Sequence, residues 1–199
     1  GRHEIMASKH ERGPIDAGDV WHHCWQAGGG YGDPLLRAGA DCARDVARGA
    51  VSRQAAHDIY GVVLTEDGGT DAAATEARRQ QIRQNRLAAA IPIEAGDAVM
   101  SFRGAGQLEF GDALRVDGDG DSVACGHCGH HHCGAGDNLL DHLLEIRAPL
   151  TAAGPVRGED YDVGRFHLRQ LCCSKCATLI DVQVALEGAP RPFMQIGSQ

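Results

Sequence analysis

Polar and apolar positions alternate along VWHHCWQ, residues 20–26, which predicts a strand. Trp21, His23 and Trp25 take one face of it, His22 and Cys24 the other. The alternation ends in GGGYGDP, residues 28–34. Three consecutive glycines open backbone angles closed to other residues, and Asp33-Pro34 turns the chain. Two short helices come next. The first takes Asp41 as N-cap and has Gly49 just past its end. The second has Ser52 as N-cap, stops at Gly61, and gathers Ala55, Ala56, Ile59 and Tyr60 on an apolar side. GVVL, residues 61–64, predicts a short strand and EDGGTD a turn. Residues 71–90 predict a longer helix whose apolar positions are sparse and small. Its Arg78, Arg79, Arg83 and Arg86 make one side basic; a solvated surface is the simpler reading, a partner-docking face the alternative.

The pattern changes at Pro92. Short β-like runs at 107–110, 113–116 and 122–125 are separated by Asp-Gly turns. DGDGD, within 117–121, resembles the start of a calcium loop. Its glycines are misplaced and Cys128 stands where the bidentate glutamate belongs, so a hairpin turn is expected. DNLLDHLLEIRAPL has the rhythm of a short helix or a buried extended segment, and FHLRQLCCSKCATLIDVQVAL gives two β runs around a cysteine pair. The fold class expected is α+β: a small helical and strand module over 1–93, followed by a β-rich, zinc-ribbon-like module over 94–199.

Charge sharpens that division. Residues 1–93 carry 11 Lys and Arg against 12 Asp and Glu, whereas residues 94–199 carry 8 against 15. An acidic, cysteine-rich half lacks the basic face that phosphate neutralisation needs, so no nucleic-acid partner is expected. No run approaches the roughly 18 apolar residues of a membrane span, and no signal-peptide pattern opens the chain. A cytoplasmic protein with no membrane partner is expected. Because the first residue is glycine, the chain is open to being a piece of a longer protein.

Six of the eight cysteines lie in the acidic half. Cys125 and Cys128 form one CxxC pair, Cys173 and Cys176 another. In a reducing compartment such pairs hold metal more often than they form disulfides. Two tight turns supplying two thiolates each make the tetrahedral four-sulfur set that zinc prefers, with no position left for water, so such a Zn2+ is structural. Cys173 rather than Cys172 is chosen because it gives the CxxC spacing; Cys172 falls on the opposite strand face and is assigned to packing. His127, His130, His131, His132 and Cys133 crowd the first pair and leave a mixed site or a second site open. No Walker lysine follows the glycine run, and no nucleophile elbow or paired carboxylates stand in a catalytic setting. No catalytic residue and no organic cofactor-binding residue is therefore named.

GDVWHHCWQAGGGYGDPLLR, with DVARGAVSRQAAHDIYGVVL and DAAATEARR, resembles the C-terminal end of the hydantoinase B/oxoprolinase family over about residues 15–87. ACGHCGHHHCGAGDNLLDHLLEIRAPL plus LRQLCCSKCATLIDVQVAL is similar to the gamma subunit of acetone carboxylase over about residues 115–187. The Cys172-Cys173-Ser174-Lys175 run departs from the aromatic and proline that family places around the cysteine. Together the resemblances imply a small zinc-bearing subunit of an ATP-dependent acetone/acetophenone carboxylase-type complex, structural or accessory rather than catalytic. The implied partners are larger hydantoinase A-like and hydantoinase B-like subunits in a hetero-oligomer. ATP and a divalent metal are expected on those partners. The family reaction activates a ketone and bicarbonate by phosphorylation and joins them into a β-keto acid. Two alternatives stay open: a subunit of an ATP-dependent hydantoinase/oxoprolinase-type amide hydrolase, and a free zinc-ribbon module that binds a protein.

Overall fold

The computed structural model describes residues 16–20, 31–93, 98–102, 109–110, 113–116, 122–134, 137–153, 164–188 and 192–196, with backbone alone for 98–102, 109–110 and 192–196. The strand expected at 20–26, Cys24, the glycine run and the DGDGD turn fall outside the described residues. The chain divides into two compact units, residues 1–30 and 31–199, and every described helix and strand belongs to the second.

Asp33 opens that unit by capping a 3-10 turn, Pro34–Leu36, its Oδ1 accepting from the Leu35 N–H. Helix α1 is Gly39–Ala47, its start three residues earlier than expected. Ala38 occupies the cap position without a side-chain bond, while Asp41 lies in the first turn and pairs with Arg44. A carboxylate there favours the positive helix end without having to be the cap. Gly49, at φ +74°, terminates α1 as the sequence predicts. Helix α2, Arg53–Asp58, has Ser52 as its N-cap, the hydroxyl accepting from the Ala55 N–H at 3.0 Å. Its expected apolar side is only partly inward: Ala56 is fully buried, but Ile59 is exposed. Cys42, Ala56 and Val62 form a small core with Val46, Val51, Tyr60 and Leu64 against it.

Among the described residues, the strand expected at 61–64 joins no sheet. Leu64 makes one isolated bridge with Thr70, and the Val63 N–H donates instead to Thr75 Oγ1. That threonine belongs to α3, Ala72–Ala89, the helix expected over 71–90, whose N-cap Asp71 accepts from the Ala74 N–H.

The basic side of α3 is its inward side, which corrects the solvated reading. Ala74, Thr75, Arg78, Arg79, Ile82, Arg83, Arg86 and Leu87 are the part-buried or buried positions, at helical spacing. Arginine stems lie on apolar surface while their heads bond backbone oxygens. Arg79 donates to the carbonyls of Tyr60 at 3.2 Å and Arg37 at 2.6 Å; Arg78 reaches the His57 carbonyl and the Asp58 carboxylate.

Gly61 lets α3 come this close. It sits at φ +61°, and a Cβ there would lie 2.8 Å from Arg79 Cγ and 3.3 Å from both Ile82 and Leu35 side chains. Gly61→Ala is expected to destabilise the protein by about 2 kcal/mol, the left-handed strain of an L-residue plus overpacking. Urea unfolding would measure it, and an unchanged midpoint would remove the close approach as its cause.

Two sheets complete the unit. One has strand order β1-β7-β8-β9, from Ile91–Pro92, Leu143–Ala148, Phe166–Cys173 and Leu179–Leu186, antiparallel throughout. The other is the antiparallel run β3-β4-β5-β6, from Glu109–Phe110, Leu114–Val116, Ser122–Cys125 and His131–Gly134. The strands expected near 107–125 and around the second cysteine pair are all present. The stretch 138–148 takes both expected forms, a 3-10 turn at Leu139–His142 and then β7. A further pair, β2 Ala98–Phe102 and β10 Pro192–Ile196, is parallel.

One apolar cluster joins the two large sheets: Leu114, Val116, Val123 and Cys133 from one, Leu143 and Leu171 from the other, with Ile93, Leu139 and Leu140 between. Each fully buried leucine contributes roughly 1.5–3 kcal/mol. This core holds β5 and β8 so that their cysteine-bearing ends meet. The architecture is mixed α+β, and the cysteine cluster is compatible with a zinc-ribbon-like module.

Candidate metal centre

Both CxxC turns are built alike. At the end of β5 the Cys125 N–H donates to the His130 carbonyl (2.8 Å) and the Gly129 N–H to the Cys125 carbonyl (2.9 Å). At the end of β8 the Cys173 N–H donates to the Thr178 carbonyl (3.0 Å) and the Ala177 N–H to the Cys173 carbonyl (2.9 Å). In each turn the fourth residue after the first cysteine is left-handed: Gly129 at φ +69°, Ala177 at φ +55°. Glycine suits that angle, whereas alanine adopts it at a cost of about 1–2 kcal/mol.

The turns bring Cys125, Cys128, Cys173 and Cys176 together, all four sulfurs lying within 4.8 Å of one another. Cys125 Sγ is 3.7 Å from Cys176 Sγ, and Cys128 Sγ is 3.9 Å from Cys173 Sγ. Metal–sulfur bonds of about 2.3 Å in a regular tetrahedron require sulfur–sulfur edges of about 3.8 Å. The described geometry therefore fits a tetrahedral cation, and all four cysteines are free thiols rather than disulfides. A cation held by all four sulfurs would have no coordination position left for a substrate.

Contacts with the Cys125 and Cys173 sulfurs hold the Cys176 thiol below the ordinary value, helped by Thr178. The same contacts push Cys173 up, and burial pushes Cys128 up. A divalent ion deprotonates the thiols that bind it. Backbone amides add support, with the Lys175 N–H 3.4 Å from Cys173 Sγ. Thr178 Oγ1 lies 3.1 Å from Cys176 Sγ.

The neighbouring candidates lie elsewhere. Among the described residues no histidine and no other cysteine shares the cluster. His127 and His131 are exposed, and His130 Nε2 is 3.4 Å from the Ser174 hydroxyl. Cys133 is in the apolar core, its thiol pushed up to about 11 by burial. Cys172 is fully buried with its thiol likewise at about 11, as expected for a packing residue.

His132 is buried, and desolvation, reinforced by nearby His130, lowers its imidazole to about 4. A folded pKa below the ordinary value of about 6.5 means the unfolded chain binds the extra proton first. The stability His132 contributes is thus complete above about pH 6.5 and is lost as pH falls toward about 4. Its ring-proton NMR shift is expected to stay constant from about pH 8 to about pH 5; a midpoint near 6.5 would contradict the burial.

Sequence spacing identifies the four cysteines but not what braces them. Asp33 and Arg86 reach the second turn from far along the chain. The Asp33 carboxylate accepts from the Leu179 N–H at 2.9 Å, and Arg86 Nη1 donates to the Ala177 carbonyl at 3.1 Å. The only local signal is Asp33-Pro34 after the glycines, which by itself predicts no more than a turn.

No family model matches the sequence. Over 79 residues, 38% of the chain, it is 40% identical to the acetone carboxylase alpha subunit of Xanthobacter autotrophicus. Over 52 residues, 26% of the chain, it is 52% identical to the caprolactamase subunit beta of Pseudomonas jessenii. These stretches cover 10% and 9% of the two relatives, so the chain spans about a tenth of the length of the curated relatives it matches. Both likenesses are partial, and by name both relatives are enzyme subunits. Among the described residues no helix is long and apolar enough to cross a membrane.

Proposed function

We propose that this chain is a zinc-containing, structural or accessory part of an ATP-dependent carboxylase complex of the acetone/acetophenone carboxylase type. The observation that carries the reading is the four-sulfur tetrahedron, on a chain that is also similar to an acetone carboxylase subunit. Cys125, Cys128, Cys173 and Cys176 hold the ion; zinc suits an all-thiolate tetrahedron and leaves the centre closed to substrate. The chain's share of the work is to hold shape and present surface. Nucleotide, a second divalent metal and the reacting ketone belong to larger hydantoinase A-like and B-like partners.

The modules 1–93 and 94–199 divide the chain by ancestry, hydantoinase B-like and acetone carboxylase gamma-like. The gamma-like assignment rests on the motifs of residues 115–187. The assembly is cytoplasmic, which keeps the thiols reduced and free for metal.

A second reading, a subunit of an ATP-dependent amide hydrolase, is favoured by the caprolactamase likeness. Ring opening of a lactam would then replace carboxylation. Purification from the native host, with metal analysis and assays of what co-elutes, separates the readings. One zinc per chain, large partners at fixed ratio, and ketone consumption needing both ATP and bicarbonate would support the carboxylase. ATP-dependent lactam opening without bicarbonate would support the hydrolase. A zinc-loaded chain eluting alone would overturn both in favour of a free ribbon module.

A further inference from the structure

We infer that Asp33 and Arg86 are positioning residues of the metal centre, so that the N-terminal turn and helix α3 set the affinity of a site whose ligands all lie beyond residue 124. The inference rests on the metal reading of the four cysteines. The Asp33 side chain is fully buried. Its carboxylate accepts four bonds: Arg86 Nη1 at 2.8 Å, Arg86 Nη2 at 3.2 Å, Leu35 N at 3.0 Å and Leu179 N at 2.9 Å. Arg86 Nη1 also donates to the Ala177 carbonyl. The planar guanidinium can serve both the carboxylate and the carbonyl, which a lysine cannot do with the same geometry.

These bonds grip the chain on both sides of Thr178. Ala177, held by its carbonyl, is the residue in the left-handed conformation. Leu179, held by its N–H, begins β9. Thr178 between them is fully buried and places its hydroxyl on the Cys176 sulfur. The path from Asp33 to a metal-facing sulfur therefore consists of short polar contacts and one fixed dipeptide. Breaking the pair leaves one buried charge unmatched and frees the strained turn that aims Cys176.

Groups that orient metal ligands in this way typically change affinity by about 10–100-fold when replaced. Linkage makes the effect reciprocal: metal on the four sulfurs must tighten the Asp33 turn as much as the Asp33 turn tightens metal. The Gly32-Asp33-Pro34 segment thereby acquires a role beyond that of a simple bend.

The test is Zn2+ affinity of the full chain by competition with a chromophoric chelator. Asp33→Asn and Arg86→Lys are expected to bind one Zn2+ per chain with about 10–100-fold weaker affinity. Asp58→Asn, which alters an exposed pair with Arg78, should match wild type. Wild-type affinity in a folded Asp33→Asn would overturn the inference. Should that variant fail to fold, hydrogen exchange on wild type decides. Removing Zn2+ is expected to speed exchange at the Leu35 amide, which donates to Asp33, as well as at Ala177. Exchange at Ala177 accelerating while Leu35 stays protected would overturn it equally. A wild-type chain that takes up no Zn2+ at all would overturn the metal reading and this inference with it, a result distinguishable from loss of affinity in the variants alone.

Discussion

Cys176→Ser is expected to empty the metal centre: metal per chain should fall from one to near zero, and the β-rich half should lose its cooperative unfolding transition. Serine keeps the size of the side chain but supplies a hydroxyl in place of the readily ionised sulfur that completes the tetrahedron. Cys176 is the natural test, because its sulfur lies 3.7 Å from that of Cys125 across the two turns and its neighbours hold its thiol below the ordinary value. Structural zinc sites of this kind contribute about 10–16 kcal/mol of apparent binding free energy. A domain's whole stability is about 5–15 kcal/mol, so losing the ion removes most of the margin. Cys172→Ser is the paired control. It buries a hydroxyl where a thiol was packed, at about 1–3 kcal/mol, yet should keep full metal occupancy. Metal analysis after gel filtration, followed by thermal unfolding monitored by circular dichroism, reads both variants. Full occupancy in Cys176→Ser, or loss of metal in Cys172→Ser, would reverse the ligand assignment.

The four-cysteine cluster was legible because CxxC spacing is a local code: two residues between cysteines suffice to turn both sulfurs to one side. The flanking β runs were legible for the same reason, since alternation over a few residues needs no knowledge of the partner strand. Helix α3 shows where local reading stops. Four arginines on one side read as solvent-facing, yet Arg79 and Arg86 are committed to carbonyls of Tyr60, Arg37 and Ala177. No pattern within residues 71–90 contains those acceptors. The segment 61–64 fails differently. Its valines have strand propensity, but the backbone donor of Val63 is claimed by a threonine side chain of the following helix. Asp33 is the extreme case, a carboxylate bonded to an amide 146 positions away. Such contacts become visible only when the fold is assembled, and that is where the supports of the cysteine cluster lie.

Leu171→Ala should be the most damaging change to the apolar core, at about 3 kcal/mol. Leu171 is fully buried and stands opposite Glu145 on β7 and Asp181 on β9. Strand alternation puts it on the same face as Cys173, two residues on, so the core cluster and the metal centre are neighbours on one surface. Truncation removes three carbons from a cluster whose other members come from both sheets, and β strands anchored by ladders on two sides cannot collapse into the space. Leucine truncations in such settings cost about 2–5 kcal/mol. For a chain of this size each kcal/mol corresponds to roughly 2–4 °C, so a fall of about 6–12 °C in Tm is expected with metal saturating. Val184, 66% exposed on edge strand β9, provides the comparison; Val184→Ala should stay within about 0.5 kcal/mol. If Leu171→Ala unfolds no earlier than Val184→Ala, the two sheets are not held by this cluster. The metal alone would then be the staple between β5 and β8. If instead Leu171→Ala lowers Tm while still binding one metal per chain, the core and the ion hold the sheets by separate means.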